Sequence, residues 1–286
     1  MKHILVTGAN GQLGTAIRQL SKKHKKLSFI FTDVEELDIT SPEALTIFFD
    51  KNPVDYIINC AAYTAVDKAE NDIGMAYLLN AMAPLNLLKQ AEQNNAKLIH
   101  ISTDYVFDGK SYCPYVETDE PIPQSRYGLT KLQGETNIGY SPNVMIIRTS
   151  WLYYSVGNNF VKTVLRLAKE KDELNIVSDQ IGTPTYAGDL AAAVLEIINY
   201  SEKNNSFVNG VFHYSNEGVC SWYDFAKAVL DIKKINKQVL PINTEDFPTP
   251  APRPYYSVLD KTKIKNTFGL YIPYWRNSLE ACLAKL

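Results

Sequence analysis

A short apolar run, Ile4-Leu5-Val6, leads directly into Gly8-Ala9-Asn10-Gly11-Gln12-Leu13-Gly14, after which apolar residues recur at Leu13, Ile17 and Leu20. The run suits a buried strand and the later spacing suits one face of a helix. A glycine turn set between the two admits few folds. The first glycine permits the tight turn, the second lets backbone amides approach a pyrophosphate, and the third lets helix and strand pack closely. The helix amino terminus aims a partial positive charge at the same anion. The expectation is the opening of a dinucleotide-binding domain, with Gly8, Asn10, Gly11, Gln12, Leu13 and Gly14 around the cofactor.

Strands and helices then alternate. Leu27 to Phe31 reads as a second strand ending at Thr32-Asp33, and Ser41-Pro42-Glu43 as a helix start with Ser41 as N-cap and Pro42 at the first helical position. Asp55 to Cys60 is a third strand, Ala76 to Gln93 a helix, and Lys97 to Ser102 and Val144 to Arg148 are further strands. These strands show little polar alternation, as parallel strands buried on both faces do. The expected fold class is α/β, a Rossmann-like doubly wound parallel sheet that binds ligands at the carboxyl ends of its strands. Beyond Ser150 the pattern loosens into helices near Phe160 to Lys171 and Asp189 to Tyr200, a strand near Val211 to Tyr214, and a Pro-rich segment from Phe247 to Pro254. The expected division is 1–150 for the dinucleotide and 151–286 mainly as a smaller substrate-binding lobe, with some elements returning to the first domain.

Charge and composition exclude several partners. Lys plus Arg number 29 against 31 Asp plus Glu, a net charge of -2, so there is no excess of cations to neutralise a nucleic acid. One phosphate group can still be held locally by amides or a single Arg. No run approaches the roughly 20 apolar residues of a membrane span. The amino terminus lacks the longer apolar region and small-residue cleavage site of a signal peptide. Cys60, Cys113, Cys220 and Cys282 are dispersed with no CxxC pair, which points to cytoplasmic thiols and to no zinc site.

Candidate ligand contacts follow the strand ends. Asp33 stands where a carboxylate would accept hydrogen bonds from the adenosine ribose, and it would repel a 2′-phosphate, so NADH is expected to be at least as acceptable as NADPH. Asp38-Ile39 could flank the adenine, and Ala61-Ala62-Tyr63-Thr64 could line the phosphates and ribose; each also reads as an ordinary loop. Tyr127 and Lys131 lie at i and i+4, on one face of any helix that contains them. A cation beside a phenol lowers its pKa from about 10 toward neutrality, which suits proton exchange with a substrate oxygen. A solvated helix face has the same pattern. Ser102-Thr103-Asp104-Tyr105 ends a strand at the ligand-binding rim, and because adjacent strand residues face opposite ways, one of the two hydroxyls faces the substrate.

In this order, the glycine turn, the hydroxyl-bearing strand end and the Tyr-x-x-x-Lys helix resemble the extended short-chain dehydrogenase/reductase superfamily. Finer motifs narrow the resemblance: Ala65 to Glu70, Ser102 to Gly109, Arg148 to Trp151, Gly157 to Phe160, Asp179 to Thr185 and Pro250 to Pro254. Together they are similar to the dTDP-4-dehydrorhamnose reductase family, from residue 2 to the carboxyl terminus. The resemblance implies NADH- or NADPH-dependent reduction of the C4 ketone of dTDP-4-dehydro-L-rhamnose to dTDP-L-rhamnose, for surface polysaccharide. It implies Thr103, Tyr127 and Lys131 as catalytic residues. Tyr127 would protonate the developing alkoxide, Lys131 would hold the nicotinamide ribose and bias Tyr127, and Thr103, selected over Ser102, would position the ketone.

By the same resemblance Ser102, Tyr127 and Lys131 belong to the cofactor site. Thr103, Asp104, Tyr105, Trp151, Asn159 and Arg253 belong to the substrate site, with Arg253 on the diphosphate and Trp151 over the sugar; Trp151 also reads as a core aromatic and Asn159 as a helix cap. Some family members are magnesium-linked dimers built on glutamates. Here Thr15 and Gly188 fall about where those would be, with Asp189 the only nearby carboxylate, so Mg²⁺ is not expected and the chain is expected to be a monomer or homodimer. Two rival readings remain: a sugar-nucleotide epimerase or dehydratase of the same fold, and a non-catalytic nucleotide-binding regulatory subunit. The absence of an added acid/base pair argues against the first, and the retained Thr103, Tyr127 and Lys131 against the second.

Overall fold

Alternate residues of the central strands supply two separate apolar layers, one on each face of a single sheet. In the computed structural model, which describes residues 1–286, the strands are Lys2–Thr7 (β1), Leu27–Thr32 (β2), Tyr56–Asn59 (β3), Lys97–Thr103 (β4), Val144–Thr149 (β5) and Gly210–His213 (β6). They form one six-stranded sheet in the order β2-β1-β3-β4-β5-β6, and every pairing is parallel. Ile4, Val6, Ile58, Ile99, Met145 and Ile147 face one layer, whereas Leu5, Ile57, Leu98, Val144 and Ile146 face the other. A side-chain period of two in strands buried on both sides produces this division. The sheet is the doubly wound one expected, and its strand order reverses between β1 and β3, the switch point at which such sheets bind ligands.

Helices cover both faces. On the first face lie Gln12–Ser21 (α1), through Leu13 and Ile17, and the later helix Ala187–Asn204, through Leu190, Val194 and Ile198. On the second lie Pro42–Lys51 (α2), Ala83–Gln93 (α3) and Arg126–Ile138 (α4), through Leu45, Phe49, Leu87, Ala91 and Ile138. Ser41 caps α2 by accepting from the Ala44 amide, with Pro42 at the helix start. The helical stretch leading into α3 begins earlier than expected, at Ile73, and passes through a π-helical segment, Leu78–Met82. Such wide turns accommodate an inserted residue and often mark functional sites. No helix is long and apolar enough to cross a membrane, and all four cysteines are free.

The second half of the chain contributes β6 to the main sheet and builds several smaller units. Glu173–Val177 and Gln238–Ile242 form a two-stranded parallel pair, and Trp222–Ile232 is a helix begun by a capping box between Ser221 and Asp224. Two short helices, Thr262–Phe268 and Trp275–Leu283, follow. None of these four units is among the expected elements, although Trp222, Phe225, Ala226, Val229 and Leu230 recur at helical spacing.

Between β4, β5 and α4 lies a buried ion pair. Arg148 donates from Nε and Nη2 to the Glu135 carboxylate, the latter at 2.6 Å, and Ser102 donates its hydroxyl to Glu135 Oε1. Both charged side chains are about 5% exposed or less. Removing one member leaves the other charged and desolvated, so Glu135→Ala should lower unfolding free energy by about 3–5 kcal/mol. Urea denaturation measures this directly; a loss under about 1 kcal/mol would show that the charge finds water or another partner.

Candidate active site

At the carboxyl end of β1 the chain turns through Gly8, whose φ is +62° and where a Cβ would sit 2.6 Å from the Ala61 amide nitrogen. Only glycine meets both conditions. Gly14 brings α1 against the turn itself, because a Cβ there would lie 2.5 Å from Ala9 Cα. These two approaches open a cleft of about 960 Å³ along the carboxyl ends of β1 to β5. Gly8, Gly11, Gln12 and Leu13 form its floor, and Asp33, Asp38 and Ile39 form one end. Ala61, Ala62 and Thr64 follow from the loop after β3, then Ser102, Thr103, Asp104 and Tyr105 from the end of β4, Tyr127 and Lys131 from α4, and Trp151 at the far end.

Five of the residues expected at the site do not line this cleft: Asn10, Gly14, Tyr63, Asn159 and Arg253. Gly14 acts in packing. The Asn10 amide donates to Asp33 Oδ2 at 3.0 Å, so Asn10 secures the carboxylate at the end of β2 to the glycine turn. Tyr63 is held through its backbone, its N–H donating to Asn80 Oδ1 at 2.9 Å. Asn159 caps the helix Phe160–Glu170 through the Lys162 amide and donates to Gln12 Oε1 at 2.9 Å. Its neighbour Asn158 is the one that lines the cleft. Arg253 is not a free surface cation. Its Nη2 donates to Asp67 Oδ2 at 2.6 Å, while its Nη1 is buried with no partner.

The Tyr-Lys pair corrects one expectation. The two side chains share a face of α4, yet Lys131 Nζ donates to the Ile101 carbonyl at 2.7 Å and lies 3.3 Å from His100 Nε2. Spacing specifies a helix face and not the direction in which a long flexible side chain runs along it. Burial raises the Tyr127 phenol to about 12, with the Thr103 hydroxyl acting the other way, so the phenol is not drawn toward neutrality. Burial also lowers the Lys131 ammonium to about 8, opposed by the Glu135 carboxylate. In the protein itself Tyr127 therefore keeps its proton.

The two hydroxyls at the end of β4 diverge as strand geometry requires. Ser102 is directed to Glu135, whereas Thr103 donates to Asp104 Oδ1 at 2.9 Å and accepts from the Tyr105 amide at 3.2 Å. Tyr105 and Tyr127 meet edge to face with ring centroids 5.4 Å apart. Asp104 is 3% exposed, its Oδ2 has no partner, and burial raises its carboxyl to about 7. At the far end Trp151 stacks on Trp222 at 3.5 Å between centroids.

Three positions absent from the expected site organise it. Asn80, in the π-helical segment, bonds the Tyr63 backbone and donates to Thr130 Oγ1, joining the loop after β3 to α4. Asp67 holds both Arg253 and the Ala251 amide. Trp222 backs Trp151. The Ala65 to Glu70 motif contains Asp67, but its partner is 186 residues away. No group of three or more His, Cys, Asp or Glu side chains is placed to hold a metal ion. Asp189 instead accepts from Asn216 Nδ2 and from the Ser278 hydroxyl.

A parallel sheet with its glycine turn at the switch point, and a Thr–Tyr–Lys wall on the same cleft, define a Rossmann-like protein of the extended short-chain dehydrogenase/reductase type. The chain belongs to the RmlD substrate binding domain family, whose model matches residues 1–286. It is 41% identical over 287 residues to a dTDP-4-dehydrorhamnose reductase of Aggregatibacter actinomycetemcomitans, covering 98% of each chain. A dTDP-4-dehydrorhamnose reductase structure from Clostridium acetobutylicum is 47% identical with a TM-score of 0.93, covering 99% of this chain and 98% of that one. A Bacillus anthracis dTDP-4-dehydrorhamnose reductase, solved in complex with NADP, is 38% identical with a TM-score of 0.93 over the whole of both chains.

The Asp104 carboxyl makes stability depend on pH. Its folded pKa of about 7 lies above the unfolded value of about 3.9, so the folded state binds this proton more tightly. The contribution is full at about pH 4 and is lost as pH rises through about 7. From about pH 4 to about pH 8 the wild type should lose on the order of 2–4 kcal/mol more than Asp104→Asn. Parallel denaturation curves for the two proteins across that range would refute the burial argument.

Proposed function

We propose that the protein is a nicotinamide-dependent reductase that converts the C4 ketone of dTDP-4-dehydro-L-rhamnose to dTDP-L-rhamnose. The observation that carries this reading is the convergence of Thr103, Tyr127 and Lys131 on a cleft that starts at the glycine turn. The names of the relatives supply the sugar nucleotide. Residues 1–150 are proposed as the dinucleotide side and 151–286 as mainly the substrate side, with β6 returning to the first sheet. The enzyme is read as cytoplasmic, a monomer or homodimer, and independent of Mg²⁺.

The cradle fits a dinucleotide. No side chain extends from Gly8 or Gly11 over the amino terminus of α1, so backbone amides there meet a pyrophosphate directly. Asp33, held by the Asn10 and Val34 amides, retains lone pairs for the ribose hydroxyls. NADH or NADPH, when bound, supplies the hydride. Tyr127 holds the proton that the ketone oxygen takes up as it becomes an alkoxide. The Thr103 hydroxyl orients that oxygen, and Lys131 binds the ribose from the same helix face. Toward the substrate, Arg253, ion-paired to Asp67 just outside the cleft lining, is the cation assigned to the diphosphate, and Trp151 covers the sugar and excludes water.

The chemistry assigns distinct results to two variants. Tyr127→Phe should cut turnover about 10²–10⁴-fold while leaving cofactor affinity nearly unchanged. An assay supplying the 4-keto-6-deoxy sugar nucleotide and following NADH absorbance tests this, and near wild-type turnover would sink the assignment. Stoichiometric NADH consumption separates a reductase from an epimerase, which returns its hydride to the sugar, and from a non-catalytic subunit. For the cofactor, paired titrations should show NADH bound at least as well as NADPH, and Asp33→Ala should shift the balance toward NADPH by about 1 kcal/mol. A tenfold wild-type preference for NADPH would overturn the role given to Asp33.

A further inference from the structure

Val66 lines the cleft, and the short helix it opens, Val66–Ala69 with Glu70 as its C-cap, carries two carboxylates that the proposed chemistry leaves unused. Glu70 Oε1 accepts from the Arg126 amide at 2.8 Å, at the first residue of α4, where Ser125 caps the helix through the Gly128 amide. Asp67 reaches the second half of the chain. Its Oδ1 accepts from the Ala251 amide at 3.2 Å and its Oδ2 from Arg253 Nη2 at 2.6 Å. Arg253 stands between Pro252 and Pro254, whose rings restrict the backbone, and Gly109 packs so closely on Pro254 that a Cβ there would lie 2.5 Å from the proline Cβ. The loop is thus fixed, and Asp67 fixes the one long side chain on it. Tyr105, which lines the cleft, lies within reach of both charges: burial raises its phenol, Arg253 acts against that rise and Asp67 with it.

We propose that Asp67 is a positioning residue: from a turn joined to the start of α4, it holds the Arg253 guanidinium at a set place relative to the Tyr127 phenol. The inference deepens the reading of Arg253 as the cation for the substrate diphosphate and of Tyr127 as the proton donor, and rests on it. In a 4-keto sugar nucleotide the diphosphate leaves C1 and the ketone stands at C4, so the ring is a rigid spacer between the two groups. A guanidinium free to swing would bind the diphosphate without holding the ketone in register with Tyr127. Ordering a long side chain at the moment of binding also costs about 3–10-fold in affinity, and an Arg already held by a carboxylate is spared most of that. The opposing effect is repulsion between the Asp67 carboxylate and the diphosphate. The Asp67 side chain is 42% exposed, so water and salt screen that repulsion, whereas the Arg253 side chain is 20% exposed. Orientation therefore outweighs repulsion.

Asp67→Asn isolates the ion pair, because the amide keeps an oxygen for the Ala251 N–H and loses only the charge that Arg253 meets. Calorimetric titration of dTDP into the full-length protein, saturated with NADH, reads the effect without turnover. Asp67→Asn should weaken dTDP binding about 3–10-fold, and Arg253→Ala at least as much. The double variant, Asp67→Asn with Arg253→Ala, should bind dTDP as Arg253→Ala alone does, since the carboxylate has nothing left to position. In turnover, the KM for the sugar nucleotide should rise in Asp67→Asn and the KM for NADH should not. Wild-type or tighter dTDP binding in Asp67→Asn overturns the proposal. So does a loss that adds in full to that of Arg253→Ala, which would assign Asp67 to the loop backbone and not to the guanidinium. Undiminished dTDP binding in Arg253→Ala overturns the diphosphate reading of Arg253, and the positioning role with it. An absence of ketone reduction with the binding results as stated would instead overturn the function and leave the role of Asp67 at the diphosphate standing.

Discussion

A single helix, α4, carries a lysine and a glutamate one turn apart, and both are buried. Desolvating two charges costs several kcal/mol each unless every one finds partners, so the elements packed on α4 are constrained by what they must supply. For Glu135 these are Arg148 from β5 and Ser102 from β4. For Lys131 they are the Ile101 carbonyl and His100, both from β4. Successive residues of one strand thus serve two different charges on one helix. Because side chains alternate along a strand while Lys131 and Glu135 share a helix face, the register between β4 and α4 is specified by charge pairing as well as by apolar contact. A slip of one residue would leave a carboxylate facing apolar side chains. The same register sets Thr103 beside Tyr127, so the wall of the cleft inherits its geometry from the buried pairs behind it.

The cofactor side depends on a different constraint. At the switch point the ends of β1 and β3 diverge, and the glycine turn packs directly on the loop after β3 through Gly8 and Ala61. Asn59 ties the same junction with side-chain bonds to Thr7 and the Ala61 amide. Its amide then reaches His100, so the floor under the dinucleotide and the lysine on the opposite wall belong to one rigid polar line. A net charge of -2 is compatible with two diphosphate ligands for this reason. On the proposed reading, anion recognition draws on oriented amides and the ion-paired Arg253, and not on the overall field of the protein.

Much of this was legible in the sequence where local pattern and global fold agree. Strands buried on both faces announce themselves as short apolar runs, the glycine spacing marks the turn, and Ser41-Pro42 marks a helix start. The second half was less legible because its elements are specified by distant partners. Gln238–Ile242 is recognisable as a strand only beside Glu173–Val177, and Trp222 matters only because Trp151 lies against it. Among the site residues, spacing located Tyr127 and Lys131 on one face but could not say that Nζ runs back toward β4. It placed Arg253 in a stiff loop but could not reveal its pairing with Asp67. Asn80 left no trace, since a π-helical turn has no periodic signature in one sequence.

The far end of the cleft shows how the second lobe is coupled to the first. Trp151 has φ of +47°, a left-handed conformation that costs a bulky residue on the order of 1–3 kcal/mol unless its surroundings enforce it. Three contacts do so. The indole stacks on Trp222 with planes 7° apart, it occupies the space that a side chain at position 182 would need, and the Trp151 carbonyl accepts from the Thr185 amide at 3.1 Å. Trp151 immediately follows β5 and Ser150, whose hydroxyl donates to the Thr183 carbonyl at 2.8 Å. The backbone therefore leaves the first sheet and within two residues is fixed against the 181–185 segment of the second half. The plane of an indole held by Trp222 and by the backbone at Gly182 is already set where Trp151 lines the cleft. If Trp151 covers the sugar as proposed, the cost of orienting a large aromatic is met in folding and not in binding.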